Sequence, residues 1–407
     1  MLYSEAAQAP RLGDETLAAL SENPSTYAQR ASNALRRLLE LNRNRAVVYG
    51  AGNLGTRSIA CLRSIGIEPL ALADGAPDKW GTEVAGLRVL SPSEAAARYG
   101  KDCVFIVAVW NARSRFAQTR AGLASLGCAA VSSPAEVCWA FPETFTPFFS
   151  FDLPHHVVAA KTEVLAAANL WADTASIREY EGHIRWRLLG DFAAIPAPVD
   201  EPQYFTHLTP LSSAETFVDC GAYDGDTLQA FLSKTEGRFE RILAIEPAPQ
   251  TFAQLTSLLR RLPADVAQRI TVKQVAAGTG SEDVALSAVD GTGARVLEAG
   301  TAGAVFVKQE SIDRLCDGLN PTYLKMDIEG AELDALASAA ATIARSRPSL
   351  AICVYHHQSD IWRVPLAIDA MAPGYRFFLR SHECDGWETV CYAVPEERVS
   401  AAVLKRA

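Results

Sequence analysis

At 407 residues the chain is long enough for two or three domains, each with its own core. A hydrophobic content of 49% and a charged content of 21% describe a globular protein rather than a disordered or fibrous one, and the net charge of −9 argues against a surface that grasps nucleic acid. The nine cysteines form no C-x-x-C pair and read as reduced core residues of a cytoplasmic protein, the polar N-terminus does not read as a signal peptide, and no apolar run reaches the about 18 residues that suggest a transmembrane segment.

Residues 1–45 read as a helical arm, with Asn23-Pro24-Ser25-Thr26 as a helix start and ALRRLLEL (34–41) carrying apolar residues at helical spacing. A strand, AVVYG (46–50), then runs into Gly52 and Gly55 and the helix-like TRSIACLRSIG. A second strand ends at Asp74, a third is DCVFIVAVW (102–110), and helical and strand-like runs alternate to about 135. This alternation predicts a small parallel α/β domain over 46–147. Its opening has the G-x-G-x-x-G form at Gly50, Gly52, Asn53, Leu54 and Gly55, with Asp74 about 20 residues on, a pattern suited to NAD(P) or a sugar nucleotide. No Tyr-x-x-x-Lys pair follows, so a binding or assembly role is favoured over redox chemistry.

Residues 148–213 are expected to form a helical connector, after a stretch rich in Pro and aromatic residues. From 214 to 407 the alternation resumes. Strands are expected at TFVDC, RILAIE (241–246), ITVKQVAA (270–277), TYLKMDI (322–328) and SLAICVYH (349–356), with helices between them, and YRFFLRS (375–381) and TVCYAVP (389–395) read as a closing hairpin. A further hairpin is expected within 283–315. The fold class is α/β, with a Rossmann-like seven-stranded sheet of the class I methyltransferase kind and a smaller Rossmann-like domain before it.

The chemistry is expected at the strand ends of the later domain. In TFVDCGAYDGDT, Gly221 and Gly225 let backbone approach a bulky ligand, while Asp219, Asp224 and Asp226 make the turn acidic. Like charges repel, so a phosphate is disfavoured and a cationic ligand with a ribose, such as S-adenosylmethionine (SAM), is favoured. Asp219 is the candidate holder of the methionine amino group, directly or through water, and Ala222, Tyr223, Asp224, Gly225, Asp226 and Thr227 line or cap the turn. Glu246 ends the next strand about 20–25 residues on, where a carboxylate accepts ribose hydroxyls, with Pro247 beside it and Ala276 at the end of the third strand. Asp327 points to the same crevice, and Lys325 reads as a structural partner for a carboxylate. His356 and His357 close an apolar strand, and alternation lets one of them face the pocket as a general base oriented by Asp360. A Mg²⁺ ion held by Asp327, Glu329, His356 and Asp360 is the rival use of these residues.

At FVDCGAYDGDT, ILAIEP, ESIDRL, YLKMDIEGAE, LAICVYHH-x-x-D-x-W and ETVCYAVP the chain resembles the FkbM family of SAM-dependent methyltransferases, over about 216–395. The resemblance implies O-methylation of a hydroxyl on a sugar, glycan or polyketide-type product, with SAM contacts at Asp219, Gly221, Glu246 and Asp327. The competing functions are an oxidoreductase or epimerase working from Gly50–Gly55 and a non-catalytic scaffold. The sequence leaves a homo-oligomer open.

Overall fold

A computed structural model describes residues 11–280, 283–286, 296–297 and 304–399. It resolves two compact units: one of Met1–Val164, Arg178–Pro198 and Glu383–Trp387, the other of Leu165–Ile177, Val199–His382 and Glu388–Ala407.

The first unit begins with the helices α1 (Asp14–Leu20), α2 (Pro24–Ser32) and α3 (Ala34–Leu41). The Asn23 side chain accepts hydrogen bonds from the N–H groups of Ser25 and Thr26 at 3.0 and 3.2 Å, satisfying two donors that the first turn of α2 leaves free. Then come β1 (Ala46–Tyr49), α4 (Asn53–Ser64), β2 (Ala71–Ala73), β3 (Glu83–Val84), β4 (Leu87–Leu90), α5 (Pro92–Tyr99), β5 (Val104–Val107), α6 (Phe116–Ser125) and β6 (Ala130–Ser132). The sheet order is β3-β4-β2-β1-β5-β6, parallel except for the β3–β4 pair. Val47, Val48, Leu72, Phe105 and Ile106 are wholly buried, as strands covered on both faces require. The helices α7 (Pro134–Ala140), α8 (Pro142–Phe145) and α9 (Pro154–Ala159) follow, and then α10 (Lys161–Ala168) and α11 (Thr174–Leu189), each of which is divided between the two units.

The second unit is built on a seven-stranded sheet. Its chain order is β7 (Thr216–Cys220), α12 (Asp226–Thr235), β8 (Arg241–Ile245), α13 (Pro249–Leu259), α14 (Ala264–Ala267) and β9 (Ile270–Lys273). The strands β10 (Ala276–Ala277), β11 (Asp283–Leu286), β12 (Val296–Leu297) and β13 (Val305–Glu310) make a separate small sheet in the order β10-β13-β11-β12. The chain returns through α15 (Ile312–Leu315), β14 (Tyr323–Met326), α16 (Glu332–Ser338), α17 (Ala340–Ser346), β15 (Ser349–Cys353), α18 (Asp360–Met371), β16 (Tyr375–Ser381) and β17 (Thr389–Pro395). The main sheet runs β16-β17-β15-β14-β7-β8-β9. Its first five strands in sequence are parallel, and β17 lies antiparallel between β15 and β16. The order reverses at β7, which is flanked by β8 and β14, so a ligand crevice belongs at the carboxyl ends of these strands. The expected strand over 270–277 is two strands in two sheets, and the hairpin expected in 283–315 is the β11–β12 pair extended by β13, with its turn outside the described residues. Among the described residues no helix is long and apolar enough to cross a membrane.

Candidate active site

A cavity of about 330 Å³ opens at those strand ends. Gly221 after β7, Glu246 and Pro247 after β8, and Ala276 and Leu286 from the small sheet line one part of it. Asp327 and Glu329 after β14, Tyr355 after β15, and Gln203, Tyr204 and Glu388 line another. Because β17 runs antiparallel to β15, its first residues arrive where β15 ends: the Val354 N–H donates to the Thr389 carbonyl at 2.9 Å. That register delivers Glu388 to the same edge as residues that follow β7, β8, β14 and β15.

The glycine at 221 has two reasons to be there. Its φ is +80°, and a Cβ would lie 1.8 Å from the Asp327 carbonyl oxygen, so the turn after β7 closes onto β14 only with glycine. Four residues with side chains also take a left-handed backbone around this cavity: Tyr204 (φ 68°), Tyr223 (48°), Glu329 (56°) and Glu388 (50°). Such conformations cost on the order of 1–3 kcal/mol each and persist where surrounding contacts enforce them. For Tyr204 those contacts are visible: its N–H donates to the Tyr392 hydroxyl at 3.0 Å, and the Tyr323 hydroxyl donates to its carbonyl.

Glu246 is buried and already organised. Its Oε2 accepts from the Tyr223 N–H at 2.9 Å, and its Oε1 accepts from the Ala248 N–H and the Thr251 hydroxyl at 2.9 and 2.8 Å. A carboxylate offers about four lone-pair directions, so roughly one remains for a ligand. Asp226 and Thr227 line the cavity as well, with the Asp226 Oδ1 accepting from the Thr227 N–H; Asp224 accepts from the Asp226 N–H, and Gly225 (φ 96°) begins α12. Ala222 is buried away from the lining.

Asp219 is a correction. The β7–β14 register sets it beside Lys325, and the two form an ion pair at 3.1 Å with both side chains buried. Burial pushes the Asp219 carboxyl up to about 6, so it is ionised at neutral pH. Burial opposes the Lys325 charge, but Asp219 and Asp327 outweigh it and hold the ammonium above its usual range; its Nζ also donates to the Gly221 carbonyl at 2.7 Å. Asp219 is wholly buried and does not line the cavity, which removes it from direct contact with a ligand amino group.

The histidines are a second correction. His356 does not line the cavity. Its Nδ1 lies 2.8 Å from Glu332 Oε1, and its Nε2 lies 3.4 Å from Asp327 and 3.7 Å from Glu329. Burial alone would lower its pKa, but Glu332, Asp327 and Glu329 raise it to about 10. The imidazole is therefore a cation at neutral pH and has no lone pair to act as a base. His357 packs elsewhere, with its Nε2 3.1 Å from the Gly330 carbonyl and its N–H donating to Asp360 at 2.8 Å.

Asp327, Glu332 and His356 lie close enough together to suggest a cation site, as do Asp327, Cys353 and Glu388. Neither set suits Mg²⁺, which keeps several waters and prefers oxygen ligands. Glu332 and His356 are buried and engaged with each other, and Glu332 also accepts from the Ile328 N–H at 2.9 Å. Asp360 is occupied by the His357 N–H, and burial keeps Cys353 a thiol. The imidazolium already supplies the positive charge that Asp327 and Glu332 need.

The first unit has its own cavity, of about 450 Å³, lined by Gly50, Gly52, Asn53, Leu54, Asp74, Lys79 and Trp110, among others. Gly55 instead serves packing, since a Cβ there would lie 1.7 Å from the Gly50 carbonyl oxygen. Asp74 accepts from the N–H groups of Ala51 and Ala76 at 2.7 and 2.8 Å and from Lys79 Nζ at 3.0 Å. The acid at the ribose position is thus already paired with the ammonium of Lys79.

The strand order and the cavity at the carboxyl ends of β7, β8 and β14 define a Rossmann-like domain of the class I methyltransferase type. More narrowly, the family model described as the methyltransferase FkbM domain matches residues 219–384. The crystal structure of methyltransferase FkbM from Methylobacillus flagellatus KT is similar with a TM-score of 0.73 and 24% identity, covering 93% of this chain and 98% of that one, which shows a shared fold. Aeropyrum pernix fibrillarin in complex with SAM aligns with 45% of this chain and 69% of its own at 13% identity and a TM-score of 0.29, too low to carry an argument. No curated protein matches the sequence.

Sequence reasoning passed over Gln203, Tyr204, Tyr355 and Glu388. Glu388 opens the segment ETVCYAVP on which the family resemblance rests, and an acid just before an antiparallel closing strand was the signal available for it. Gln203 and Tyr204 lie in the expected connector and carried no periodic signal.

Proposed function

We propose that the second unit is a SAM-dependent O-methyltransferase acting on a hydroxyl of an uncharged sugar, glycan or polyketide-type acceptor. The observation that carries this reading is the cavity itself: an organised carboxylate, Glu246, stands at the end of the second parallel strand, and Asp226, Asp327, Glu329 and Glu388 make the lining acidic against one cation, Lys325. When bound, SAM supplies an electrophilic methyl group on a cationic sulfur. Glu246 holds a ribose hydroxyl with its remaining lone pair, and Pro247, Ala248, Ala276, Ala277 and Leu286 give apolar surface for a flat base. The acidic residues favour the sulfonium and disfavour an acceptor whose reacting hydroxyl sits beside a phosphate or carboxylate. Catalysis on this reading is alignment of the acceptor oxygen with the methyl carbon, together with removal of one proton.

The test is calorimetric titration with S-adenosylhomocysteine. A hydrogen bond to a charged group contributes about 1.5–3 kcal/mol, so Glu246→Gln is expected to weaken binding by roughly ten- to a hundredfold. Unchanged affinity in that variant would reject the pocket. A screen with labelled SAM over neutral, amino, phosphorylated and uronic sugars then identifies the acceptor class.

A further inference from the structure

With His356 held as a cation outside the cavity, the lining contains another group able to take a proton. Asp327 accepts from the Tyr204 hydroxyl at 2.8 Å, and although burial opposes it, Lys325 and His356 hold its carboxyl below the usual range, which makes it a weak base. Glu246 already accepts three hydrogen bonds, and on the reading above its remaining lone pair goes to the ribose. The tyrosine hydroxyls of Tyr204 and Tyr355 are pushed well above their usual range by burial.

Glu388 combines four features. It lines the cavity, and its backbone is left-handed at φ 50°, a conformation its neighbours must enforce. Its partners are neutral: Gln203 Nε2 donates to one carboxylate oxygen at 2.7 Å, and the Tyr355 hydroxyl donates to the other at 3.1 Å. One of its oxygens lies within 4.8 Å of an oxygen of Asp327, so it stands in the polar part of the cavity where the strand ends converge. Two neutral donors fix the orientation of a carboxylate with no cation hydrogen-bonded to it to suppress its basicity directly.

We propose that Glu388 faces the point of methyl transfer and accepts the proton of the acceptor hydroxyl, a role that rests on the methyltransferase reading above. The acceptor oxygen bonds to the methyl carbon as that carbon's bond to sulfur breaks. The electron pair of the broken bond stays on sulfur, and the hydroxyl proton passes to Glu388 and from there to water. Burial, with Asp327 beside it, raises the Glu388 carboxyl to about 7 against the lowering effect of Gln203, Tyr355 and His356, close to the range a base at neutral pH needs.

The experiment uses the full chain and two probes: S-adenosylhomocysteine, which is neutral at sulfur, and sinefungin, which carries an ammonium where SAM carries its methyl. Wild type is expected to bind sinefungin more tightly than S-adenosylhomocysteine. Glu388→Gln is expected to keep S-adenosylhomocysteine affinity within about twofold and to lose roughly tenfold for sinefungin, on the order of one charge-assisted hydrogen bond. Glu388→Asp should recover part of that loss. Sinefungin and S-adenosylhomocysteine weakened equally, or neither weakened, in Glu388→Gln would overturn the placement of Glu388 while leaving the cofactor pocket standing. No binding of S-adenosylhomocysteine to wild type would overturn the methyltransferase reading itself. With an acceptor from the sugar screen, Glu388→Gln should lower kcat by about 10²-fold or more with KM little changed. A rise in KM alone would overturn the proton-accepting role.

Discussion

A histidine with carboxylates at both ring nitrogens changes sign as a functional element. His356 has the strand-end position of a base, yet Glu332, Asp327 and Glu329 keep it charged. Its pKa in the folded chain, about 10, lies above the ordinary value of 6.5. Its stabilising contribution is therefore complete below about pH 6.5 and is lost as pH rises through about 10. Urea unfolding of wild type is expected to weaken between pH 7 and pH 10 more steeply than that of His356→Gln, by up to about 1.4 kcal/mol per pH unit. Parallel profiles for the two proteins would reject the imidazolium. The Asp219–Lys325 pair makes the companion case. Removing the cation leaves a buried carboxylate alone, so Lys325→Met is expected to lose about 3–5 kcal/mol of stability by chemical denaturation, and Asp219→Asn combined with it should recover most of that. The sequence marked Lys325 as a partner for a carboxylate without saying which one, and it gave no sign that His356 pairs with Glu332. Asp219 and His356 are strand-end polar residues in a linear reading, and their roles depend on register: the β7–β14 pairing sets Asp219 beside Lys325, and the helix after β14 sends Glu332 back to His356.

Elements were far more legible than contacts. Apolar runs bounded by glycine and acidic turns located the strands of the seven-stranded sheet, because parallel strands covered on both faces must be apolar throughout. The failures lie where a short strand changes sheets. ITVKQVAA reads as one strand, but β9 belongs to the main sheet and β10 to the small one, and Ala276 and Ala277 reach the cavity only through that switch. The arrival of Glu388 was hidden for a similar reason: its place depends on β17 running antiparallel to β15, which no local pattern states. The turn after β7 shows what an element boundary can demand. Gly221→Ala would press a Cβ against the Asp327 carbonyl and force a left-handed alanine. It is expected to lower the melting temperature and to weaken S-adenosylhomocysteine binding together, since the same turn closes the sheet and lines the cavity. A variant with intact stability and lost binding would show that the glycine serves the ligand alone.

At the scale of the whole molecule, two Rossmann-like openings invite the same inference, and their acids separate them. Each accepts three hydrogen bonds through both oxygens, but the partners of Glu246 are all neutral, whereas one partner of Asp74 is the ammonium of Lys79, which already balances its charge. The better glycine fingerprint thus precedes the acid less able to hold a ribose. The expected result is one adenosyl ligand per chain: native mass spectrometry with S-adenosylhomocysteine should show a single added mass, retained in Asp74→Asn and lost or strongly weakened in Glu246→Gln. Asp74→Asn should act on stability instead, because it removes the charge that Lys79 and the two backbone donors share. Loss of S-adenosylhomocysteine in Asp74→Asn with affinity kept in Glu246→Gln would move the adenosyl site to the first unit, and with it the assignment of the catalytic domain.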